Sequence, residues 1–306
     1  MSGDNTLFSD SDDRYSDMKI EVESSIEELL QLTEEAKRSE KFKEWLDVQS
    51  KFHNYSYRNS WLIKLQCPEA TKVAGYRQWQ EKFDRHVKEG ESAIWIWAPL
   101  EGKICPECGT PKYKHDLTNC EYFEEEDVDE DDWDQGIVGF KPVLVFDISQ
   151  TEGEELPVLD TSAQGEINGL LKKVKRLAEE KDINVEIVEE DEWNRGSDGF
   201  AKDREVTVKK QDIPTTTSVL IHELSHVLAG HTSDNGFSSG IDRMKEEVEA
   251  ESIAYIVGER FGLDMSNSSF YLASYKADRE AFEASLKKIT DVSSEIIEGL
   301  EVIEDA

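Results

Sequence analysis

Residues 218–229 read SVLIHELSHVLA, and this stretch decides how the C-terminal half of the chain is interpreted. His222 and His226 are four residues apart, so on a helix both side chains lie on one face, which suits two tetrahedral metal positions. Glu223 would project beside a metal rather than onto it, where it can act as a general base towards water. The flanking residues are apolar, so the helix is expected to be buried, and buried polar groups need a reason. The pattern predicts a zinc site of HExxH type, against the alternative of two histidines that share a face by chance.

A carboxylate on the following helix is the expected third ligand. His231 is a tempting choice, but it follows His226 by five residues. The HExxHxxGxxH arrangement requires six, with a glycine at the position of Ala229. The segment KEEVEAE at 245–251 offers several carboxylates instead. An acidic solvated face is the alternative interpretation of this segment, although apolar residues follow it directly.

Within this segment the spacing Glu-x-x-Ala-acid selects Glu247 as the ligand, and Glu246 is its main rival. Glu251 lies one helical turn further along the same face, where its carboxylate would orient a ligating histidine from behind. The small Ala250 lets the two helices approach each other. The predicted ligands of a catalytic zinc are therefore His222, His226 and Glu247.

A second candidate metal site contains three of the four cysteines of the chain. Its potential ligands are Cys105, Cys108, His115 and Cys120. The first two lie on a CxxC turn in which Gly109 permits a tight backbone, and a complete Cys₃His set leaves no open position, which is typical of structural zinc. A reduced loop without metal and a redox pair are the alternatives. Cys67 is expected to be a buried or incidental thiol.

Composition limits the partners of the chain. The 306 residues carry a net charge of −33, which predicts repulsion from bare nucleic acid and from anionic membranes. Adaptation to high salt would produce the same balance. No apolar run approaches the roughly 18 residues of a membrane span, and residues 1–17 lack the apolar core of a signal peptide. Cysteines clustered in this way are not the disulfide framework of a secreted domain, so a cytoplasmic protein without membrane contact is expected.

The window of residues 51–90 is basic within this acidic chain. It contains eight Lys or Arg and four Asp or Glu, a balance of +4. Aromatic residues are interleaved with these cations, a pattern typical of single-strand binding, in which cations follow phosphates and rings stack on bases. An ordinary helical domain with an aromatic core is the alternative.

The alternation of helical and strand patterns predicts an α+β chain with two domains. Residues 1–22 are expected to form a disordered acidic tail. An N-terminal nucleic-acid-binding α+β domain is expected over 23–152, interrupted at about 101–136 by the zinc-knuckle insertion. A second domain with the HExxH helix is expected over 160–268, followed by an acidic helix over 270–306.

Four stretches resemble the N-terminal single-stranded-DNA-binding domain of ArdC-type antirestriction proteins. They are Tyr57–Ser60, Ala74–Gln80, Val87–Ile96 and Val145–Thr151. The resemblance implies single-stranded DNA as a partner. With the basic window it gives the candidate DNA contacts Arg58, Asn59, Tyr76, Arg77, Trp79, Arg85 and Lys88. The zinc-knuckle insertion and the acidic charge depart from the family pattern, and the charge opposes phosphate binding.

The HELSH helix with EEVEAE is similar to the zincin-like metallopeptidase domain that follows in this family and is related to ImmA/IrrE peptidases. The domain order also matches, and the resemblance covers roughly residues 25–265. It implies a protein or peptide substrate, and a role on mobile elements in protecting incoming DNA from restriction. One catalytic and one structural Zn²⁺ are expected.

Three functions remain open from the sequence. The first is a DNA-binding zinc metallopeptidase in which Glu223 takes the proton of the attacking water. The second is a non-catalytic protein that coats and shields single-stranded DNA and uses zinc only structurally. The third is an interaction module whose metals stabilise two small cores.

Overall fold

The computed structural model describes residues 14–32, 35–115, 120, 133–155, 166–232, 240–266, 268, 270, 272–275 and 278–303. The helices in these ranges are α1 (Arg14–Gln31), α2 (Glu35–Lys51), α3 (Tyr57–Gln66), α4 (Tyr76–Phe83), α5 (Glu166–Glu180), α6 (Ile213–Leu228), α7 (Gly240–Arg260) and α8 (Arg279–Val302). The strands are β1 (Val73–Gly75), β2 (Arg85–Val87), β3 (Ile94–Ile104), β4 (Asp134–Asp147), β5 (Thr151–Gly153), β6 (Asn184–Val188), β7 (Gly199–Lys202) and β8 (Glu205–Lys209). The predicted α+β class is confirmed. Among the described helices, none is long and apolar enough to cross a bilayer.

The first of two compact units comprises Met1–Lys19 and Val73–Gly153. Its central antiparallel sheet has the order β1-β4-β3, and β3 and β4 form a long ribbon with one irregularity at Leu100. Strands β2 and β5 pair separately. Helix α4 packs on this framework through Trp79, which is fully buried and donates from Nε1 to the carbonyl oxygen of Phe146.

The second unit comprises Ile20–Lys72 and Glu154–Ala306. Its sheet has the order β6-β8-β7, with β6 parallel and β7 antiparallel to β8. Helix α6 packs on β7, β8 and α5 and also on α7, which in turn contacts α2 and α8. Residues 253–257 of α7 are buried on every side, so α7 is the central helix of this unit and holds the acidic segment next to α6.

Helix α1 corrects the predicted disordered tail. Its buried residues Met18, Val22 and Ile26 recur every four residues and form an apolar stripe, which stabilises a helix from Arg14 onwards. The tail prediction is therefore wrong for residues 14–22, and residues 1–13 lie outside the described ranges.

The boundary of the units also differs from the predicted domains. The N-terminal domain was predicted to end at residue 152, and the first unit ends at Gly153. However, α2 and α3, which were expected within 23–152, belong to the second unit, where α2 packs on α7 and α3 on α8. An acidic helix was predicted over 270–306; helix α8 spans Arg279–Val302 and packs on α5 and α7.

Candidate metal centres

Helix α6 carries the HExxH sequence and has a well-formed N-terminus. Asp212 accepts a hydrogen bond from the backbone N–H of Thr215 at 3.0 Å, and Pro214 lies in the first turn, where its missing N–H costs nothing. One face of the helix is apolar and buried, through Leu220, Ile221 and Leu224. The adjoining face is half-buried and carries His222, Glu223 and His226.

Three potential ligand atoms converge at this face. Nε2 of His222 lies 3.2 Å from Nε2 of His226, and Oε2 of Glu247 on α7 lies 3.6 and 3.7 Å from them. Two nitrogen ligands of a tetrahedral zinc ion lie about 3.3 Å apart, given zinc–nitrogen bonds of about 2.05 Å. The donor set and its spacing therefore fit a mononuclear site. Glu247, rather than its rival Glu246, supplies the carboxylate of this cluster.

Neighbouring charges stabilise His222 in its protonated form and Glu247 in its carboxylate form. Oε2 of Glu251 lies 3.0 Å from Nδ1 of His222, which is the contact that its predicted orienting role requires. Burial lowers the pKa of His222, but hydrogen bonds with Glu247 and Glu251 outweigh this effect and raise the pKa to about 10. The contacts with His222 and His226 hold the pKa of Glu247 far below its ordinary value. A metal cation would displace the protons shared between these histidines and carboxylates and would interact with the same ligand atoms.

Glu223 lies beside the ligand cluster. Burial raises the pKa of its carboxyl, His222 opposes that shift, and the negative charge of Glu247 adds to it. A raised pKa brings a carboxylate closer to the range in which a general base works at neutral pH. The side chain packs against Gly199 of β7, where a Cβ atom would lie 2.5 Å from Oε1 of Glu223. Glycine at this position leaves room for the carboxylate.

His231 and Glu249 belong to the same neighbourhood, although the sequence patterns predicted a role for neither residue. Nδ1 of His231 lies 3.0 Å from Nδ1 of His226, so His231 lies behind a candidate ligand and outside the cluster. Its Nε2 lies 2.8 Å from Oε2 of Glu249. Gly230 ends the helix with a φ of +76°, and the N–H of His231 donates to the carbonyl oxygen of His226. A glycine at the end of a helix is therefore a sequence signal that the following residue, here His231, folds back onto the last turn.

The cysteine cluster brings together the four predicted residues of the second site. Its potential ligand atoms, on Cys105, Cys108, His115 and Cys120, all lie within 4.8 Å of one another. The sulfurs of Cys105 and Cys120 are 3.7 Å apart, and two sulfurs of a tetrahedral zinc ion lie about 3.8 Å apart. Gly109 has a φ of +67° and donates its N–H to the carbonyl oxygen of Cys105, which closes the CxxC turn. These residues fit a Cys₃His metal site.

The cysteine cluster also favours a thiolate. Hydrogen bonding with the side chain and backbone of Thr110, together with smaller contributions from Cys105 and Cys120, lowers the pKa of Cys108 to about 6. The thiolate is the form in which cysteine binds a metal. Within the predicted insertion, residues 116–119 and 121–132 lie outside the described residues. Cys67 is half-buried and is not part of either cluster.

The seven candidate DNA contacts divide between the two units. Arg58 and Asn59 lie on α3 of the second unit, where the Arg58 guanidinium pairs with Glu283 at 3.2 Å and Asn59 is buried. Trp79 is buried in the first unit and cannot stack on a base, so the structure contradicts its predicted role. Because α3 packs on α8, the Arg58 guanidinium is paired with Glu283 and Asn59 is not accessible to DNA.

The remaining candidates lie in the first unit. The guanidinium of Arg85 donates to Thr151 and Gly153 of the paired strand, and Lys88 donates to the carbonyl oxygen of Ser149, so both side chains have partners within the unit. Tyr76 and Arg77 are exposed at the start of α4. These two are therefore the predicted residues that are best placed to meet a partner.

Comparisons with known proteins relate this chain to antirestriction proteins. Residues 13–146 match the family model of the N-terminal domain of anti-restriction factor ArdC. An uncharacterized protein of Bacillus anthracis, pXO2-81, is 26% identical over 284 residues, which cover 84% of this chain. The chain spans 47% of that relative, about half of its length. The predicted resemblance of the N-terminal part to ArdC is confirmed.

Two solved structures of the antirestriction ArdC protein from the R388 plasmid are similar to this chain. The Mn(II)-bound structure is 17% identical with a TM-score of 0.50, and the match covers 94% of this chain and 96% of that one. The metal-free structure is 16% identical with a TM-score of 0.46, covering 81% and 84% of the two chains. The match to the Mn(II)-bound structure shows an ArdC-like α+β fold.

Proposed function

We propose that this chain is an ArdC-type protein that joins a single-stranded-DNA-binding region to a zincin-like metallopeptidase centre. One observation carries the peptidase part of the proposal. Three ligand atoms from consecutive helices α6 and α7 converge at zinc-like distances, and the Glu223 carboxylate lies beside them. A solved ArdC structure of the same fold contains Mn(II), which supports the proposal that this chain binds a divalent cation.

The residues of the centre divide the chemistry among them. His222, His226 and Glu247 would hold the zinc ion. When bound, the ion supplies Lewis acidity, which polarises a peptide carbonyl and makes water more acidic. Glu223 accepts a proton from water as the oxygen attacks the carbonyl carbon. It then returns this proton to the departing amine, so the C–N bond is replaced by a C–O bond and the proton count balances.

Strand β7 offers a place for the substrate backbone. Within the described residues β7 pairs only with β8, and we propose that an extended peptide adds to its other edge through main-chain hydrogen bonds. Gly199 on this strand contacts Glu223, and the neighbouring Phe200 is 37% exposed. A peptide at this edge would lie next to the general base.

A Glu223→Gln variant tests the peptidase proposal, because it removes the base while keeping the shape of the side chain. We expect peptide hydrolysis to fall by at least about 10²-fold with unchanged metal content. Cleavage of a complex peptide mixture, followed by mass spectrometry, and elemental analysis measure the two quantities. Glu246→Gln removes a neighbouring carboxylate and should keep both the hydrolysis rate and the metal content of the wild type.

The outcomes separate the peptidase from its alternative. Undiminished hydrolysis by the Glu223→Gln variant would contradict the assigned mechanism. A wild-type protein that binds metal and cleaves nothing would favour the second candidate, a protective single-stranded-DNA-binding protein with structural metals. The family match to the N-terminal domain of anti-restriction factor ArdC, over residues 13–146, supports the DNA-binding part of that candidate.

DNA binding is proposed for the first unit, where Tyr76 is 50% exposed and Arg77 follows it on the same helix. An exposed ring next to a cation suits base stacking combined with a phosphate contact. Fluorescence anisotropy with a single-stranded oligonucleotide should show weaker binding for Tyr76→Ala and for Arg77→Ala. Lys82→Ala, an exposed cation in the last turn of the same helix, is the matched control. Equal affinity of all three variants and wild type would contradict the assignment.

The cysteine cluster is proposed to bind a structural zinc ion. Four protein ligands complete a tetrahedral shell and leave no position for substrate. Its role would be to close the end of the β3–β4 ribbon, because Cys105 follows β3 directly and Tyr113 donates to the carbonyl oxygen of Val138 on β4.

A further inference from the structure

The two proposed histidine ligands are held from behind in different ways. His222 and His226 direct Nε2 towards each other, so each has Nδ1 on its outer side. Nδ1 of His222 lies 3.0 Å from a carboxylate oxygen of Glu251. Nδ1 of His226 lies 3.0 Å from Nδ1 of another histidine, His231. A carboxylate always accepts, whereas a ring nitrogen accepts only when it carries no proton, so the second contact constrains the protons of both rings.

The proton positions follow from metal binding through Nε2. A neutral His226 that binds in this way carries its proton on Nδ1 and donates it, so Nδ1 of His231 has to accept. A neutral His231 then carries its own proton on Nε2. That atom lies 2.8 Å from Oε2 of Glu249 and donates to it. The Glu249 carboxylate therefore selects the tautomer of His231, and His231 selects that of His226.

Glu249 is fixed in turn by helix α8. Nζ of Lys288 lies 2.8 Å from its Oε2, and the Ser285 hydroxyl donates to its Oε1. The Tyr275 hydroxyl donates to Ser285 at 3.0 Å. The side chains of His231 and Glu249 are only 3% and 7% exposed. Stability alone does not explain such a pair, because replacing both partners of a buried hydrogen bond by apolar groups of the same shape is often neutral or stabilising.

We propose that His231 and Glu249 are positioning residues of the metal centre. Together with His226 they form a histidine relay that fixes the tautomer and ring orientation of this ligand. The inference rests on the proposed metal centre and deepens it. Partners of this kind typically change metal affinity by about 10–100-fold. The histidine relay also joins α8 to the metal centre, since Lys288 and Ser285 both belong to that helix.

Mn(II) titration of the full chain, followed by the electron paramagnetic resonance signal of the free ion, tests the histidine relay. Thiolates prefer zinc to Mn(II), so one equivalent of zinc added beforehand fills the cysteine cluster and leaves the histidine centre for Mn(II). His231→Phe keeps the bulk of the ring but removes both hydrogen-bonding nitrogens, and we expect about 10–100-fold weaker binding. His231→Asn places an amide oxygen near the position of Nδ1 and should recover most of the affinity.

A matched pair of variants tests the link to α8. Lys288→Met removes the ammonium that contacts Glu249 and should weaken Mn(II) binding in the same direction as His231→Phe. Lys287→Met alters the preceding residue, whose partner is Asp291, and should bind Mn(II) as the wild type does.

The wild-type protein gives an independent measurement that requires no substitution. Long-range proton–nitrogen correlation spectra of histidine-labelled, zinc-loaded protein should show His226 protonated at Nδ1 and His231 at Nε2. A proton on Nδ1 of His231 overturns the histidine relay. Equal Mn(II) affinity of His231→Phe and His231→Asn overturns it too and leaves the metal centre intact. A wild type that binds neither Mn(II) nor zinc at the histidines overturns the metal centre, and the histidine relay with it.

Discussion

Replacing Gly199 with alanine should displace the proposed general base without altering a metal ligand. The new Cβ atom would lie 2.5 Å from Oε1 and 2.6 Å from Cγ of Glu223, and 2.8 Å from Cγ1 of Val219. Favourable contacts between heavy atoms are about 3.5 Å or longer, so the carboxylate has to move by roughly 1 Å. A misplacement of that size can lower the rate by about 10²-fold. This factor corresponds to about 2.7 kcal/mol of activation free energy.

The assay for this prediction is kcat/KM for a peptide that the wild type cleaves, combined with metal affinity. Gly196→Ala is the matched control, because a Cβ atom at Gly196 has no neighbour within 4 Å and should leave the rate unchanged. Both variants should bind metal with the wild-type affinity, since neither residue contacts a ligand atom in the described site. Equal kcat/KM for the two alanine variants would refute the reasoning, because Glu223 would then either have room to spare or not be the base.

Three further predictions concern the rest of the molecule. Trp79→Ala removes a fully buried ring and its hydrogen bond to Phe146, so urea denaturation should show a loss of about 3–5 kcal/mol, whereas a surface DNA contact would leave stability unchanged. Burial raises the pKa of Glu283, but hydrogen bonds from Arg279 and two other donors lower it overall. Ionised Glu283 therefore stabilises the fold fully above the ordinary glutamate pKa, and this stabilisation is lost as the pH falls through the lower pKa of the folded state. In the Glu283→Gln variant, the free energy of unfolding should consequently depend less on pH in the acid range. Zinc should protect the cysteine cluster from alkylation while Cys67 reacts at the same rate with and without zinc, and equal protection of all four thiols would contradict a local site.

The ligand clusters could be predicted because local rules determine them. A helix places residues four apart on one face, so His222 and His226 are near neighbours whatever the rest of the fold does. The same rule links Glu247 to Glu251, and a CxxC turn with glycine brings two thiols together. His231 was harder to place, since the HExxHxxGxxH spacing excludes it as a ligand. Its position depends on the left-handed turn at Gly230.

The division of the chain into units could not be predicted, because it depends on contacts between distant residues. The Tyr57 hydroxyl donates to Glu283 at 3.0 Å across 226 residues of sequence, and no local pattern indicates that α3 packs on α8. The role of Trp79 was missed for a related reason. Cations interleaved with aromatic residues occur both in single-strand-binding surfaces and in half-buried helices, and only burial distinguishes them. Met18 and Val22 were missed because the acidic residues around them mask the apolar stripe.

Metal content is the most direct test of the two proposed metal sites. Elemental analysis of purified wild type, His222→Ala and Cys105→Ser gives the zinc bound per chain. The two ligand clusters predict two zinc ions in the wild type and one in each variant. A His222→Ala variant that retains the full wild-type content would contradict the proposed metallopeptidase centre.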